Sequence, residues 1–257
     1  MARVFPAEFS DLLSRGGARR AARLAGRLVA ADPPFVALAG AVDPALAVRA
    51  RAALAARMLP LLSRIDVRIP PETIWNQTRS FQERLPKVAR LRTAYLDRRG
   101  TRSWRAAEEL GVVALLRSAS LRRFGEALCG RPLKPEPGCQ ILCYGPGDYM
   151  GPHHDHHPDI PDARDGYLDV HIGLAAPGVQ RQALLLARDG HLAEIVELAR
   201  PSLIAAYRLP FWHQIGPLVS RRGTDAATAL RWVLLASFRF ADVELRRPKS
   251  VAPGRPA

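Results

Sequence analysis

The chain has little cysteine. Cys129, Cys139 and Cys143 are the only three in 257 residues, and no two of them form a Cys-x-x-Cys pair. This pattern argues against a disulfide-stabilised scaffold and against a cysteine-ligated zinc site. It is typical of a protein from a reducing compartment. We therefore expect buried free thiols and a cytoplasmic location.

Long hydrophobic runs are also missing. No uncharged apolar stretch approaches the roughly 18 residues of a membrane helix, and residues 1–11 lack the apolar core of a signal peptide. The hydrophobic fraction of 48% is ordinary for a globular protein, and 257 residues are enough to bury a sizeable core. The sequence predicts no membrane association and shows no internal repeat.

Lysine is nearly absent. Only Lys87, Lys134 and Lys249 are lysines among the 38 basic residues, so arginine supplies almost all of the net charge of +14. A large positive charge is compatible with nucleic-acid binding. The arginines are scattered along the chain, however, and scattered charge is weaker support for such binding than a basic stripe. We expect no nucleic-acid partner.

Histidine, by contrast, is concentrated in one segment. Residues 144–158 hold four of the seven histidines together with Asp148 and Asp155. His153 and Asp155 are two residues apart, so on a strand both side chains point the same way and can reach one metal. His213, after several strand-like runs, is a candidate third ligand. Two histidines and one carboxylate form the facial triad of non-haem iron(II) oxygenases.

A second His-x-Asp pair leaves the register open. His157 and Asp159 have the same spacing, but Pro158 between them removes a backbone donor and fits a strand poorly. We therefore favour His153 and Asp155. The roles of four other histidines stay open: His154, His156, His157 and His171.

The pattern around these residues resembles the 2-oxoglutarate/iron(II)-dependent dioxygenases, and within them the prolyl-4-hydroxylase-like branch. The shared features are a tyrosine- and glycine-containing segment before His-x-Asp, a distal histidine followed by proline, and a basic residue beside an aromatic at a strand start. The matching residues are Tyr144, Gly147, Tyr149, His153, Asp155, His213, Pro217 with Leu218, and Arg231 with Trp232. The resemblance covers residues 138–242; the first half of the chain matches no pattern that we can name.

Iron(II), 2-oxoglutarate and oxygen are the cofactors that this resemblance implies, with ascorbate as an optional addition. His153, Asp155 and His213 would hold the iron. Tyr144 and Tyr149 are natural phenol donors to the cosubstrate or to the iron-bound oxygen, and the alternative for either is a core aromatic with a satisfied hydroxyl.

Arg231 is the candidate for the distal carboxylate of 2-oxoglutarate, because a guanidinium fork matches a carboxylate. It lies 18 residues after His213, about twice the usual gap in the family. Arg222 is nearer that gap but lies in a loop-like segment. We treat residues 220–229 as a lengthened hairpin and favour Arg231.

Apolar periodicity predicts helices in the first half of the chain. The expected helices cover residues 18–30, 44–59, 72–96 and 103–129. Asp43-Pro44 is a typical helix start, with an N-cap carboxylate and a proline at the first helical position. Gly130 fits a helix C-cap.

After residue 137, short apolar runs alternate with turn signals. The runs are 139–144, 167–174, 182–187, 191–196, 202–207 and 230–240. Asp189-Gly190 is a hairpin signal between two of them. Six runs within about 100 residues favour an antiparallel sandwich or jelly roll. On one of these strands, Asp169 and His171 should share a face.

The fold class expected is therefore α+β. A double-stranded β-helix (jelly-roll or cupin-like) core should occupy residues 136–245, with a helical N-terminal region, residues 1–135, packed against it. Residues 246–257 contain three prolines and are expected to be a disordered tail.

The resemblance implies a hydroxylase that converts 2-oxoglutarate to succinate and CO2. The substrate would be a small molecule or a peptide: a protein side chain, an amino acid or another metabolite. One alternative is a metal-binding module of the same fold without catalysis. Another is a nucleic-acid oxidative demethylase, but its second arginine would fall at Ser237. The oligomeric state is left open.

Overall fold

The computed structural model describes residues 3–69, 87–155, 166–188 and 191–242. The expected tail, the Asp189-Gly190 turn, the second His-x-Asp pair and most of the expected helix 72–96 lie outside these ranges. The helices are α1 (Arg15–Ala22), α2 (Arg27–Ala30), α3 (Pro44–Arg57), α4 (Arg102–Leu110), α5 (Val112–Leu116) and α6 (Ala119–Cys129), with 3-10 turns at Phe9–Leu12 and Leu59–Leu61.

Side-chain caps fix the starts of the longer helices. The Asp43 carboxylate accepts a hydrogen bond of 2.8 Å from the backbone N–H of Leu46, and Pro44 occupies the first turn of α3. The carboxylate pairs with one of the free backbone N–H groups at the helix N-terminus, and proline has no N–H there to leave unpaired. The predicted start is therefore confirmed. Ser118 caps α6 in the same way, and Gly130 ends it with a left-handed φ of 67°.

The expected helix 18–30 is wrong as a single element. The structure has α1 and α2 with a turn between them, and Gly26 adopts a φ of 72° there. The Gly26 N–H leaves the helical pattern and donates to Ala127 O. The expected helix 103–129 is likewise three helices, and Gly111, at a φ of 91°, separates the first two.

The strands pair antiparallel throughout. They are β1 (Phe35–Ala39), β2 (Ser63–Arg68), β3 (Val88–Tyr95), β4 (Gly138–Tyr144), β5 (Tyr149–His153), β6 (Tyr167–Ala175), β7 (Val179–Arg181), β8 (Ala183–Arg188), β9 (His191–Glu197), β10 (Leu203–Leu209), β11 (His213–Ile215), β12 (Val219–Ser220) and β13 (Arg231–Arg239). Each of the six predicted runs is a strand.

Eleven of these strands form one curled sheet. Its order is β1-β10-β6-β13-β4-β3-β5-β11-β8-β9, and β2 is added beside β3; β7 and β12 form a separate pair. The curl gives the sheet an inner and an outer face. The architecture is the predicted α+β fold, a double-stranded β-helix or jelly roll with helices against it.

Two apolar clusters follow from the two faces of the sheet. The helices pack on the outer face, where Trp232, Leu234 and Phe238 of β13 are buried with them. The inner face has its own cluster, which includes Tyr144 and Tyr207. Because side chains alternate along a strand, one set packs between the sheet and the helices, and the other set lines the inside of the curled sheet.

The first half of the chain is less helical than expected. β1, β2 and β3 fall within residues 1–135, and β1 and β3 extend the sheet. The expected helix 72–96 is wrong over Val88–Tyr95, where Ala89, Leu91 and Thr93 are buried alternately, as in a strand. The division of the chain at residue 135 stays a prediction.

Among the helices in the described ranges, none combines the length and the apolar character needed to cross a bilayer.

Candidate active site

Two paired strands bring His153 and His213 together. His153 ends β5 and His213 begins β11, and the two residues are direct partners across the ladder. A bulge lies beside them, since three steps along β5 from Met150 to His153 oppose two steps along β11. An extra residue of this kind changes which face a side chain takes. Met150 packs on the inner cluster, and the bulge aims His153 inward as well.

Asp155 completes the group just beyond β5. It adopts a left-handed φ of 55°, which is uncommon for a residue other than glycine. Its carboxylate oxygens lie 3.4 Å from His153 Nε2 and 3.4 Å from His213 Nε2. One ligand atom from each of the three residues lies within 4.8 Å of the others, close enough to hold one metal ion.

Backbone carbonyls select the imidazole tautomers. His153 Nδ1 lies 2.7 Å from Gly151 O, and His213 Nδ1 lies 3.0 Å from Phe211 O. A carbonyl only accepts, so each Nδ1 carries the proton and each Nε2 keeps a lone pair. Both Nε2 atoms face Asp155. This outer-shell arrangement is typical of metal-binding histidines.

The environment favours the metal-binding protonation states of His213 and Asp155, whereas it favours protonation of His153. Burial, followed by the neighbouring His153, lowers the pKa of His213 to about 3, so His213 is neutral. Burial opposes ionisation of Asp155, but His153 outweighs it and the pKa of Asp155 is lowered. The pKa of His153 is raised: burial lowers it, and the Asp155 charge more than compensates. The site is therefore a carboxylate and two imidazoles that share at most one proton beyond the two Nδ1–H protons.

Arg231, at the start of β13, lies on the same inner face. The residue is 4% exposed and its guanidinium carbon lies 4.6 Å from the centre of the Tyr144 ring. Its Nε donates to Gln182 Oε1. Within the part of the chain that the structure describes, the buried Arg231 Nη2 has no hydrogen-bond partner. A buried guanidinium with an open donor fits a ligand carboxylate.

Gln182 holds this arginine in place, a role that the sequence pattern does not indicate. Its side chain is fully buried. Its Nε2 donates to Asp148 O at 3.3 Å and to Gly216 O at 3.1 Å, which leaves Oε1 directed at Arg231. A glutamine before an apolar strand has no distinctive spacing, so only the fold reveals it.

The other predicted cosubstrate residues are placed differently. Arg222 is exposed on the turn after β12, which favours Arg231 between the two candidates. Tyr149 pairs with Arg90 on β3, and the Arg90 guanidinium lies 5.4 Å from its ring centre. Tyr149 therefore points away from the inner face that carries Met150. The structure brings Tyr144 to Arg231, but it does not bring Tyr149 there.

Additional polar groups line the inner face near the histidines. His171 packs edge-on against Tyr207 with ring centroids 4.4 Å apart, and Tyr207 stacks at 6.0 Å from His213. The Tyr167 hydroxyl donates to the backbone carbonyl of Asp155. Tyr207 was missed because alternation alone does not distinguish a tyrosine that lines a site from one in the core.

The remaining histidines differ in placement. His154 is buried, with its ring 6.0 Å from that of Trp212. His156 and His157 lie outside the described residues, as does Asp159. The structure thus groups His153, Asp155 and His213.

The cysteines match the expectation of buried thiols. Cys129, Cys139 and Cys143 are free and buried, and all three belong to the cluster between the sheet and the helices. Burial raises the pKa of Cys143 to about 12. They take no part in the site.

Comparisons with known proteins support the fold. No protein-family model matches the sequence, and no curated protein matches it. A 2OG-Fe(II) oxygenase family oxidoreductase from Burkholderia pseudomallei is similar in structure, with 16% identity, coverage of 91% of this chain and 95% of that one, and a TM-score of 0.51.

Two prolyl hydroxylases were also found. The prolyl-4-hydroxylase of Pseudomonas putida has 16% identity, covers 85% of this chain and 98% of its own, and gives a TM-score of 0.46. The Trichoplax adhaerens prolyl hydroxylase, in complex with a hypoxia-inducible-factor peptide fragment, has 13% identity, 90% and 95% coverage and a TM-score of 0.43.

The chain therefore has the fold of the 2-oxoglutarate/iron(II) oxygenases, as the sequence resemblance implied. Within this fold it carries a His-Asp-His group with the donor set of a metal site. Two imidazole nitrogens and one carboxylate suit iron(II) and leave positions open for other ligands. The open donor of Arg231 on the same face suits a dicarboxylic cosubstrate.

Proposed function

We propose that the protein is a 2-oxoglutarate- and iron(II)-dependent dioxygenase that hydroxylates an organic substrate. In such a reaction one atom of O2 enters the substrate as a hydroxyl group. The other enters succinate, which forms with CO2 from 2-oxoglutarate. The observation that carries the proposal is that the His153–Asp155–His213 group shares its inner face with Arg231, whose buried Nη2 has no hydrogen-bond partner within the described ranges.

The protein's own contribution is placement and exclusion of water. His153, Asp155 and His213 would hold iron(II) through two lone pairs and an ionised carboxylate. Arg231, stacked on Tyr144 and fixed by Gln182, would orient the distal carboxylate of 2-oxoglutarate. Iron and cosubstrate together supply the oxidising chemistry when bound.

The apolar inner face supports this role. Leu142 and Val233 are buried side chains of the inner cluster, and each lies two residues from Tyr144 or Arg231 on the same strand. Leu203 on β10 belongs to the same cluster. A low-polarity wall strengthens the attraction between the arginine and a bound carboxylate. The same wall keeps bulk water from the reacting groups.

We infer that the substrate is a small molecule or a peptide side chain. The position where nucleic-acid demethylases carry a second arginine is Ser237, whose hydroxyl donates to Asp169. Ser237 therefore provides no positive charge at this position for a nucleic-acid phosphate. The scattered arginines also favour a substrate other than a nucleic acid.

The test is iron-dependent turnover of 2-oxoglutarate. Purified protein with Fe(II), 2-oxoglutarate and O2 should release succinate slowly without substrate and faster with one. His213→Ala should abolish succinate release and weaken metal binding, while Arg222→Ala, an exposed matched control, should leave both unchanged. Metal binding with no succinate release under any condition would indicate a binding module. Full turnover in His213→Ala would overturn the proposed metal site.

A further inference from the structure

A row of polar side chains lies on the inner wall, away from Arg231. Asp169 on β6 is flanked by Tyr207 on β10 and by Ser237 on β13. Directly paired residues of neighbouring strands present their side chains on one face. His171, two residues on, takes the same face. These four residues form what we call the Asp169 row.

Asp169 and Ser237 lie at the other end of this wall from the backbone of Arg231, because Ser237 follows Arg231 by six positions on β13, about 20 Å along a strand. Tyr207 lies between the two ends: burial raises the pKa of its phenol, and the nearby charge of Arg231 opposes that shift. Tyr207 connects the row to the His153–Asp155–His213 group, since its ring stacks on that of His213 with centroids 6.0 Å apart. A cosubstrate held between the metal ligands and Arg231 therefore leaves the Asp169 end of the wall for the substrate.

The Asp169 carboxylate is buried, and its partners in the described ranges are a hydroxyl and an imidazole. The residue is 8% exposed, and its Oδ1 accepts from the Ser237 hydroxyl. Its Oδ2 lies 3.8 Å from His171 Nε2, too far for a hydrogen bond, and that buried Nε2 has no hydrogen-bond partner among the residues that the structure describes. Among the described residues, no lysine or arginine forms an ion pair with Asp169. A buried carboxylate is costly unless a positive group pairs with it.

Aromatic rings adjoin the row and would suit the alkyl part of a ligand. Tyr207 stacks on Phe35 with ring centroids 5.2 Å apart and contacts Phe211 edge-on at 5.9 Å. An aliphatic chain that ends in a positive nitrogen matches an apolar ring surface beside an open carboxylate. The surface also allows cation–π attraction.

We propose that Asp169 binds a cationic nitrogen of the substrate, a primary ammonium or a guanidinium, and so places a neighbouring C–H bond at the metal. The substrate class is then a basic amino acid, either free or as a residue of a peptide. This inference rests on the proposed function and narrows it. Asp169 is the residue that would select the substrate, and Ser237 orients its carboxylate.

Matched probes test the charge requirement. Arginine is compared with citrulline, and lysine with N6-acetyllysine, each as the free amino acid and as the central residue of a capped tripeptide. Each pair differs mainly in one positive charge. The readouts are probe-stimulated succinate release with Fe(II), and calorimetric binding to the zinc-loaded protein in the presence of 2-oxoglutarate.

At least one charged probe should bind and stimulate at least tenfold better than its neutral partner. That preference should fall below threefold in Asp169→Asn and persist in Asp225→Asn, a control at an exposed turn carboxylate. The free and peptide arms show which source is used. Equal responses to charged and neutral probes in the wild-type protein would overturn the inference, as would an unchanged preference in Asp169→Asn.

The two proposals fail differently. Iron-dependent succinate release without a charge preference would leave the oxygenase assignment standing and refute the role of Asp169. Charge-selective binding without succinate release would do the reverse. If Asp169→Asn does not fold, as judged by its circular dichroism, the wild-type comparison of charged and neutral probes still tests the charge requirement. Ser237→Ala, which removes the hydroxyl that donates to Asp169, should then reduce the preference, and an unchanged preference would refute the role of Asp169.

Discussion

The Gln182 side chain connects Arg231 to two loops of the backbone. It accepts from Arg231 Nε and donates to the carbonyls of Asp148 and Gly216. A buried amide with both ends satisfied has one stable orientation. The guanidinium therefore keeps a fixed direction before any ligand arrives, and its remaining donors are aimed in advance.

Gln182→Leu should weaken cosubstrate binding more than catalysis. Loss of a buried hydrogen-bond partner costs about 1–3 kcal/mol. We expect the KM for 2-oxoglutarate to rise about five- to fiftyfold, with a smaller change in kcat and a lower melting temperature. Steady-state kinetics against 2-oxoglutarate measure this. An unchanged KM would show that Arg231 does not depend on Gln182.

Arg231→Ala should have the larger effect on the cosubstrate. Removal of a buried charged partner of a carboxylate costs about 2–5 kcal/mol. The concentration of 2-oxoglutarate needed for half-maximal turnover should rise at least tenfold. Arg222→Ala, at an exposed turn position, should change it little. The reverse ranking would assign the carboxylate to the turn after β12.

Most of this fold was predictable because local patterns and tertiary packing agree. The six apolar runs became strands, and Asp43-Pro44 began a helix. Val88–Tyr95 is one exception. Its sequence also suits a helix, and only pairing with β2, β4 and β5 decides for a strand. The break at Gly26 depends on a contact with Ala127, far along the chain.

The site was predictable in its charged residues and less so in its supporting ones. His153, Asp155 and His213 have distinctive side chains and spacing, and the fold brings them together. Gln182 and Tyr207 have ordinary spacing, so their roles depend on strand register. Tyr149 lies on the opposite face of β5 from Met150, and the bulge between it and His153 changes the alternation that spacing alone predicts.

Gly111 should be intolerant of a side chain. Its φ of 91° disfavours other residues, and an added Cβ would lie 2.5 Å from the carbonyl oxygen of Phe5. Strain of about 1–2 kcal/mol from the backbone adds to this clash. We expect Gly111→Ala to lower the melting temperature by at least about 5 °C.

Gly26→Ala is the matched control for Gly111→Ala, because Gly26 also has a positive φ and an added Cβ there would meet nothing within 4 Å. Gly26→Ala adds backbone strain without a steric clash, so it should lower the melting temperature by roughly half as much as Gly111→Ala, or less. Thermal unfolding followed by circular dichroism measures both variants. Equal losses would mean that the contact between Gly111 and Phe5 is unimportant.

Metal affinity should depend on pH through a single proton. The pKa of His153 is raised, because the Asp155 charge outweighs the effect of burial. Below that pKa the metal-free protein carries a proton on His153, and a metal ion must displace it. Affinity should therefore fall about tenfold for each pH unit below the pKa and level off above it. His213 adds no further slope until the pH nears its own pKa of about 3.

Calorimetry of Zn²⁺ binding in buffers of different ionisation enthalpy counts the protons released. We expect one proton per metal ion on the acid side of the transition and none well above it. The sign follows from the direction of the shift: a raised pKa extends the protonated, weakly binding form to higher pH, so acid opposes metal binding. Release of two protons would place a second proton on His213 and contradict its lowered pKa. An affinity that does not change with pH would contradict the raised pKa of His153.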